Sequence, residues 1–215
     1  MSMDKGLFIV VSAPSGTGKS SLCRELLNAF PKIQFSISHT SREPRPGEQE
    51  GKDYFFVSRE EFKQKIKRGE FIEWIENYGH FYGSSKTMVE KALQEGKDLL
   101  FDIEPRGAKT IKETLQGGVY VFILPPSKED LLNRLRGRGH ESEADVRKRF
   151  EQAEREIKEI SWYDYVVINR DLETAVNQLK AIYVAEKCKR KRLKQEIKKF
   201  IKSFEKEKIS WQESP

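Results

Sequence analysis

Ser12-Ala13-Pro14-Ser15-Gly16-Thr17-Gly18-Lys19-Ser20-Ser21 follows the apolar run of residues 7–11 and leads into a helical pattern of Leu22, Leu26, Leu27 and Phe30. A strand, a Gly-rich turn and a helix N-terminus in that order make a concavity for an anion. Backbone N–H groups point into it, and the helix dipole adds partial positive charge. Gly16 and Gly18 can adopt positive φ and let a ligand approach the backbone. Lys19 supplies a full charge for the outer phosphates, and the Ser20 hydroxyl suits Mg²⁺. The match to G-x-x-x-x-G-K-[ST] has one departure, Ala13 at the first Gly position, which requires an ordinary φ there. Residues 13–21 are therefore a candidate nucleoside triphosphate site.

Working outward, residues 33–38 alternate apolar and polar as a half-buried strand does. Residues 42–47 are polar and turn-rich, residues 53–57 read as a strand, and Ser58 caps a short helix ended by Gly69. Residues 71–76 alternate again, 79–83 turn back, and a helix with Met88, Ala92 and Leu93 ends near Gly96. Residues 36–85 are thus expected to form short antiparallel strands in a small α+β lobe. That lobe interrupts an α/β core of residues 1–35 and 86–190.

In that core, residues 99–103, 119–124 and 165–168 are nearly continuous apolar runs, the pattern of strands buried on both faces. Helices start at Pro105, after Ser127 and at Ser142, the last running to about Ile160. Strands alternating with helices predict a doubly wound parallel sheet of five strands. Arg136-Gly137-Arg138-Gly139-His140 breaks the helical pattern and suggests a lid at about 136–148. A last helix begins near Leu172 and is expected to continue into a basic amphipathic tail, residues 191–215.

The chain has 215 residues and a net charge of +6, yet residues 186–208 hold eleven Lys or Arg against four Glu. The remainder is close to neutral, which argues against a nucleic-acid enzyme with a basic face. The tail suits docking on the body or pairing with a second subunit, with RNA or an acidic membrane as the alternative. No apolar run is long enough to span a bilayer, so no membrane partner is expected, and because the first strand begins almost at once no signal peptide is expected. Cys23 and Cys188 lack metal spacing and read as free thiols, so a cytoplasmic protein is expected.

Arginines gather in two loop regions: Arg42 with Arg45, and Arg134 with Arg138, followed by Arg149. Guanidinium groups pair bidentately with phosphate oxygens, so two phosphate-bearing ligands meeting between these clusters are suggested. Asp102, ending a buried strand, stands where open α/β sheets present residues to ligands. It suits Mg²⁺ coordination, or alternatively a structural hydrogen bond to the Gly-rich loop. The charged run 151–159 reads as solvated helix.

Over residues 6–190 the sequence resembles the guanylate kinases. The stretches that carry the likeness are 12–21, Ser38-His39-Thr40-Ser41-Arg42-Glu43-Pro44-Arg45-Pro46-Gly47-Glu48, Gly51-Lys52-Asp53-Tyr54-Phe55-Phe56 and Glu70-Phe71-Ile72-Glu73. Tyr82-Gly83-Ser84, Asp102-Ile103-Glu104, Ile123-Leu124-Pro125-Pro126-Ser127, Arg134-Leu135-Arg136-Gly137-Arg138-Gly139 and Asn169 complete them. The resemblance implies phosphoryl transfer from ATP to GMP or dGMP with Mg²⁺. By it, Ser38, Arg42, Arg45, Tyr54 and Tyr82 hold the GMP phosphate, and Glu73, Ser84 and Glu104 read guanine. Arg134, Arg138 and Arg149 engage ATP phosphates, and Asn169 lies near adenine. Lys19, Arg42 and the three ATP-side arginines are the expected catalytic set, with Ser20 and Asp102 at the metal. Glu104 stands where the family usually has Asp, and Pro105-Arg106 replaces an apolar-Gln pair.

Overall fold

A computed structural model describes residues 5–77, 79–137 and 142–206. The chain enters as β1 (Phe8–Ser12) and α1 (Lys19–Ala29), then β2 (Ile33–Phe35), β3 (His39–Thr40), β4 (Phe55–Phe56) and α2 (Arg59–Lys67). β5 (Phe71–Asn77), β6 (His80–Ser85), α3 (Lys86–Gln94), β7 (Asp98–Asp102), α4 (Pro105–Thr114) and β8 (Val119–Leu124) follow. The C-terminal part holds α5 (Lys128–Arg136), α6 (Glu143–Ile157), a 3₁₀ turn (Lys158–Trp162), β9 (Tyr165–Ile168), α7 (Leu172–Lys187) and α8 (Lys194–Lys206).

Five parallel strands form one sheet in the order β2-β7-β1-β8-β9. All five residues of β1 are buried, because this central strand is covered on both faces. One face packs Leu7, Ile9 and Val11 against Leu22 and Leu26 of α1 and Leu179 of α7. The other packs Phe8 and Val10 with Phe101, Ile111 and Phe122. Val11 pairs in register with Asp102 and Leu124 with Ile168, so the loops after β1, β7 and β9 emerge at one edge. That edge carries the site.

A second sheet, β4-β3-β6-β5, lies within residues 39–85. β3 and β4 run parallel, a correction to the all-antiparallel strands expected over residues 36–85, while β5 and β6 form the expected antiparallel hairpin. β4 is also shorter than residues 53–57: the Asp53 N–H goes to the Gln49 carbonyl and Tyr54 only bridges to Glu50, so turn contacts replace ladder bonds before Phe55. Ser58, Ser127 and Ser142 cap their helices by accepting from Glu61, Asp130 and Asp145 N–H groups, as the sequence suggests.

The last helix does not run on into the tail. Buried Glu186 accepts from the Tyr165 hydroxyl and from Lys189, while Arg192 donates to the Gly117 carbonyl. These anchors pull the chain back to the sheet, so α7 ends at Lys187 and α8 starts anew at Lys194. Of the lid, α5 reaches Arg136 and α6 starts at Glu143, and residues 138–141 lie outside the described ones.

A buried acid ties the two ends of the core together. Asp98 accepts from the Leu7 N–H at 2.7 Å, the Tyr183 hydroxyl at 2.7 Å and Lys187 Nζ at 2.9 Å. Asp98→Ala strands a backbone donor and a phenol, and is expected to cost about 3 kcal/mol in urea unfolding. Asp98→Asn, which keeps an acceptor, should cost clearly less.

Candidate active site

Two cavities open at the C-terminal edge of the parallel sheet. One, of about 720 Å³, is lined by residues 13–21 and by Asp145, Lys148, Arg149, Gln152 and Glu156 of α6. The other, of about 410 Å³, lies between the two sheets and is lined by Ser38, Tyr54, Glu73, Asn77 and Tyr82, among others. Lys19, Ser20, Arg45 and Glu104 line both, so ligands in the two cavities meet at these side chains.

The loop after β1 turns through Gly16 and Gly18, at φ 91° and 89°. A side chain at Gly18 would put its Cβ 2.7 Å from the Asn169 amide nitrogen. Glycine is required there by backbone and by space alike. Below the loop, the Asn169 amide donates to the Thr17 carbonyl at 2.7 Å. Arg134 donates to the carbonyls of Thr17, at 3.4 Å, and Asn169, at 3.0 Å. Both residues hold the loop from behind and line neither cavity. Arg149 reaches it from above, donating to the Ser15 hydroxyl. Arg138 lies outside the described residues.

Lys19 forms an ion pair with Asp102. Burial pulls the Lys19 pKa down, but Asp102 outweighs burial and raises it, so the ammonium stays charged. Asp102 thus has a cationic partner already, the structural role weighed from sequence. Among the described residues no group of three acids, His or Cys can hold a metal alone. The Ser20 hydroxyl and Asp102 carboxylate, both lining the smaller cavity, are the hard oxygen donors that Mg²⁺ takes alongside substrate phosphates.

On the inserted sheet, Arg42 is held by both Glu48 oxygens, at 2.8 and 2.9 Å, and stands 5.5 Å from the Tyr54 ring. Those bonds push its pKa up and that of Glu48 down. Glu48 also accepts from the Arg45 N–H and so shapes the whole turn. Glu73 faces Ser84 across β5 and β6 and accepts its hydroxyl proton at 2.8 Å. The carboxyl is 4% exposed, and burial lifts its pKa from 4.5 to about 7 against the pull of the Ser84 bonds. Arg42 and Ser84 stand behind the cavity wall, while Glu73, Tyr54, Tyr82, Arg45 and Ser38 form it.

Three further residues escaped the sequence reading. Asn77, two strand positions after Ile75 on the Glu73 face, donates to the Glu104 carboxylate. Gly107 approaches so closely that a Cβ would lie 2.7 Å from Glu73 Oε2. Glu156, within the run read as solvated helix, lines the larger cavity, and burial raises its pKa to about 7. The alternation of β5 could have marked Asn77. Nothing local marks Gly107 or Glu156, which depend on how α4 and α6 pack. Glu104 stands at the N-cap position of α4 with Pro105 in its first turn, and burial raises its pKa against the pull of Lys19 and of exposed Arg106.

A phosphate loop facing a second ligand cavity on an inserted sheet defines the class, a P-loop nucleoside monophosphate kinase. The guanylate kinase family profile matches residues 5–186. The guanylate kinase of Syntrophus aciditrophicus is 51% identical over 199 residues, covering 93% of this chain and 96% of that one. That of Clostridioides difficile is 46% identical over 207 residues, 96% of this chain and all of its own. A crystal structure of guanylate kinase from Anaplasma phagocytophilum superposes with a TM-score of 0.72 at 35% identity, covering 88% and 90% of the two chains. The chain belongs to the guanylate kinase family, whose reaction is ATP-dependent phosphorylation of GMP to GDP.

The buried Glu73 makes a measurable demand on stability. Its folded pKa of about 7 exceeds the unfolded 4.5, so its stabilising contribution is whole below pH 4.5 and is lost as pH rises to about 7. Glu73→Gln should therefore stabilise the ligand-free protein at pH 8 by up to about 3 kcal/mol, a gain that vanishes near pH 4. Denaturant unfolding at the two pH values checks it.

Proposed function

We propose that the larger cavity takes ATP through residues 13–21 and that the smaller one takes GMP or dGMP, the γ-phosphoryl group passing between them beside Lys19. The observation that carries this reading is the pair of cavities sharing Lys19, Ser20, Arg45 and Glu104. Residues 36–85 are then the GMP lobe and residues 136–148 the lid over ATP.

Guanine presents N1–H and N2–H₂ as adjacent donors, and the ionised Glu73 is an acceptor for both. Adenine would set its N1 lone pair against the carboxylate. A buried site built on such bonds discriminates by about 10⁴-fold. Ser84 orients Glu73, and Asn77 holds Glu104 at the same cavity. Arg45, Tyr54, Tyr82 and Ser38 receive the GMP phosphate, with Arg42 delivered from its Glu48 pair. Arg134 and Asn169 keep the loop in shape from behind, and Arg149 with Lys19 faces the ATP phosphates.

The attacking atom is a phosphate oxygen of GMP, ionised at neutral pH, so no general base is needed. Rate enhancement comes from aligning two anions and neutralising their repulsion. Lys19 and the arginines do this, and Mg²⁺ held by Ser20 and Asp102, when bound, supplies the remaining charge on the phosphates. Closure of the lid and the GMP lobe would exclude water and prevent idle ATP hydrolysis. The unpaired thiols of Cys23 and Cys188 fit a reducing cytoplasm.

A coupled ADP-release assay should show dominant turnover of GMP or dGMP over AMP, CMP and UMP. Dominance of another nucleotide would refute the pocket. Glu73→Gln is expected to lower kcat/KM for GMP by about 10²-fold or more. Arg42→Ala should raise KM for GMP about tenfold through its phosphate.

GMP binding at pH 7 finds Glu73 about half protonated and needs it ionised. Calorimetry in two buffers should show about half a proton released per GMP beyond the phosphate's own contribution, a difference absent in Glu73→Gln.

A further inference from the structure

The tail helix keeps its apolar face in water. In α8, Ile197 is 38% exposed, Phe200 66%, Ile201 53% and Phe204 68%. The two phenylalanine rings meet edge to face at 4.9 Å, one turn apart. Lys198, Lys199 and Lys202 fall on the opposite side of the helix by its 3.6-residue period. Docking on the body, the first expectation for this helix, is not what the structure shows.

Three occupants remain. RNA would use the lysines and leave Phe200 and Phe204 in water. A second copy would bring two basic helices together, and α8 is too small to hold them. Thirteen residues make a face about 20 Å long and 10 Å wide, roughly 200 Å², against about 800 Å² per partner in a stable complex. An anionic bilayer uses both faces at once, taking aromatic and aliphatic side chains at the acyl boundary and attracting lysines through its surface potential.

We propose that α8 lies on the surface of an anionic lipid bilayer, with Ile197, Phe200, Ile201 and Phe204 inserted. No helix among the described residues is long and apolar enough to cross a membrane, so this is attachment to one leaflet, and it revises the expectation of no membrane partner. The geometry leaves catalysis free. Arg192 on Gly117 and Glu186 on Tyr165 fasten the root of α8 at the N-terminal edge of the sheet. The phosphate loop is at the other edge, so the nucleotide cavities open away from the attached end.

The test is co-sedimentation of the full chain with phosphatidylglycerol–phosphatidylcholine vesicles, beside phosphatidylcholine alone. Binding should appear with the anionic vesicles, weaken as salt rises and be negligible on the neutral ones. Phe200→Glu/Phe204→Glu should lower the partition coefficient at least tenfold with GMP turnover unchanged. Lys198→Glu/Lys202→Glu should abolish the dependence on phosphatidylglycerol. No binding to anionic vesicles, or undiminished binding by the phenylalanine variant, overturns the proposal. So does a dimer by sedimentation equilibrium that this variant dissociates, or tighter binding to a homopolymer RNA than to vesicles.

Discussion

The ion pair between Lys19 and Asp102 is the interaction on which the arrangement turns. Both side chains are largely withdrawn from water, at 17% and 13% exposure, so neither charge is tolerable without the other. Over eighty residues separate them in the chain. The β1–β7 register brings them together, and the inserted lobe is the detour between these two strands. A pair of this kind is weak evidence for stability. Its consequence is a cation held ready where the two cavities meet. The same charge field bears on Cys23, one helical turn beyond Lys19, whose thiol burial and Asp102 together keep protonated and inert.

Glu73 illustrates the opposite exchange. The protein buries a carboxyl with one hydroxyl donor and a close-packed glycine behind it, and leaves it half ionised. A neutral side chain would fold better. What it would lose is an acceptor matched to a base with two adjacent donors. On the proposed role of this carboxyl, a bound base supplies the hydrogen bonds that the fold withholds.

Most of the parallel sheet could be read from the chain because its strands are apolar on both faces and its helices begin at Ser, Pro or Asp caps. The phosphate loop was legible for the same local reason, and Glu73 because β5 alternates. The second sheet was harder: two of its strands have only two residues each, and parallel pairing of β3 with β4 leaves no periodicity. Glu156 was misread since a helix facing a cavity has the same composition as one facing solvent. The break between α7 and α8 was invisible because Glu186 is anchored by Tyr165 and Arg192 by Gly117, contacts made across long stretches of sequence. Residues that hold other residues, such as Asn169 under Thr17, show their task only in three dimensions.

Ala13 changes the character of the phosphate loop. Its methyl is 4% exposed and belongs to the same core cluster as Val11 and Leu22. The loop therefore leaves the sheet through a cemented residue, and its freedom is confined to the two glycines further on. A more mobile first residue would let the amides wander and be gathered again at each binding event. With a methyl in the core, the cradle is preorganised, and the ordering entropy is met once, during folding, rather than in every catalytic cycle.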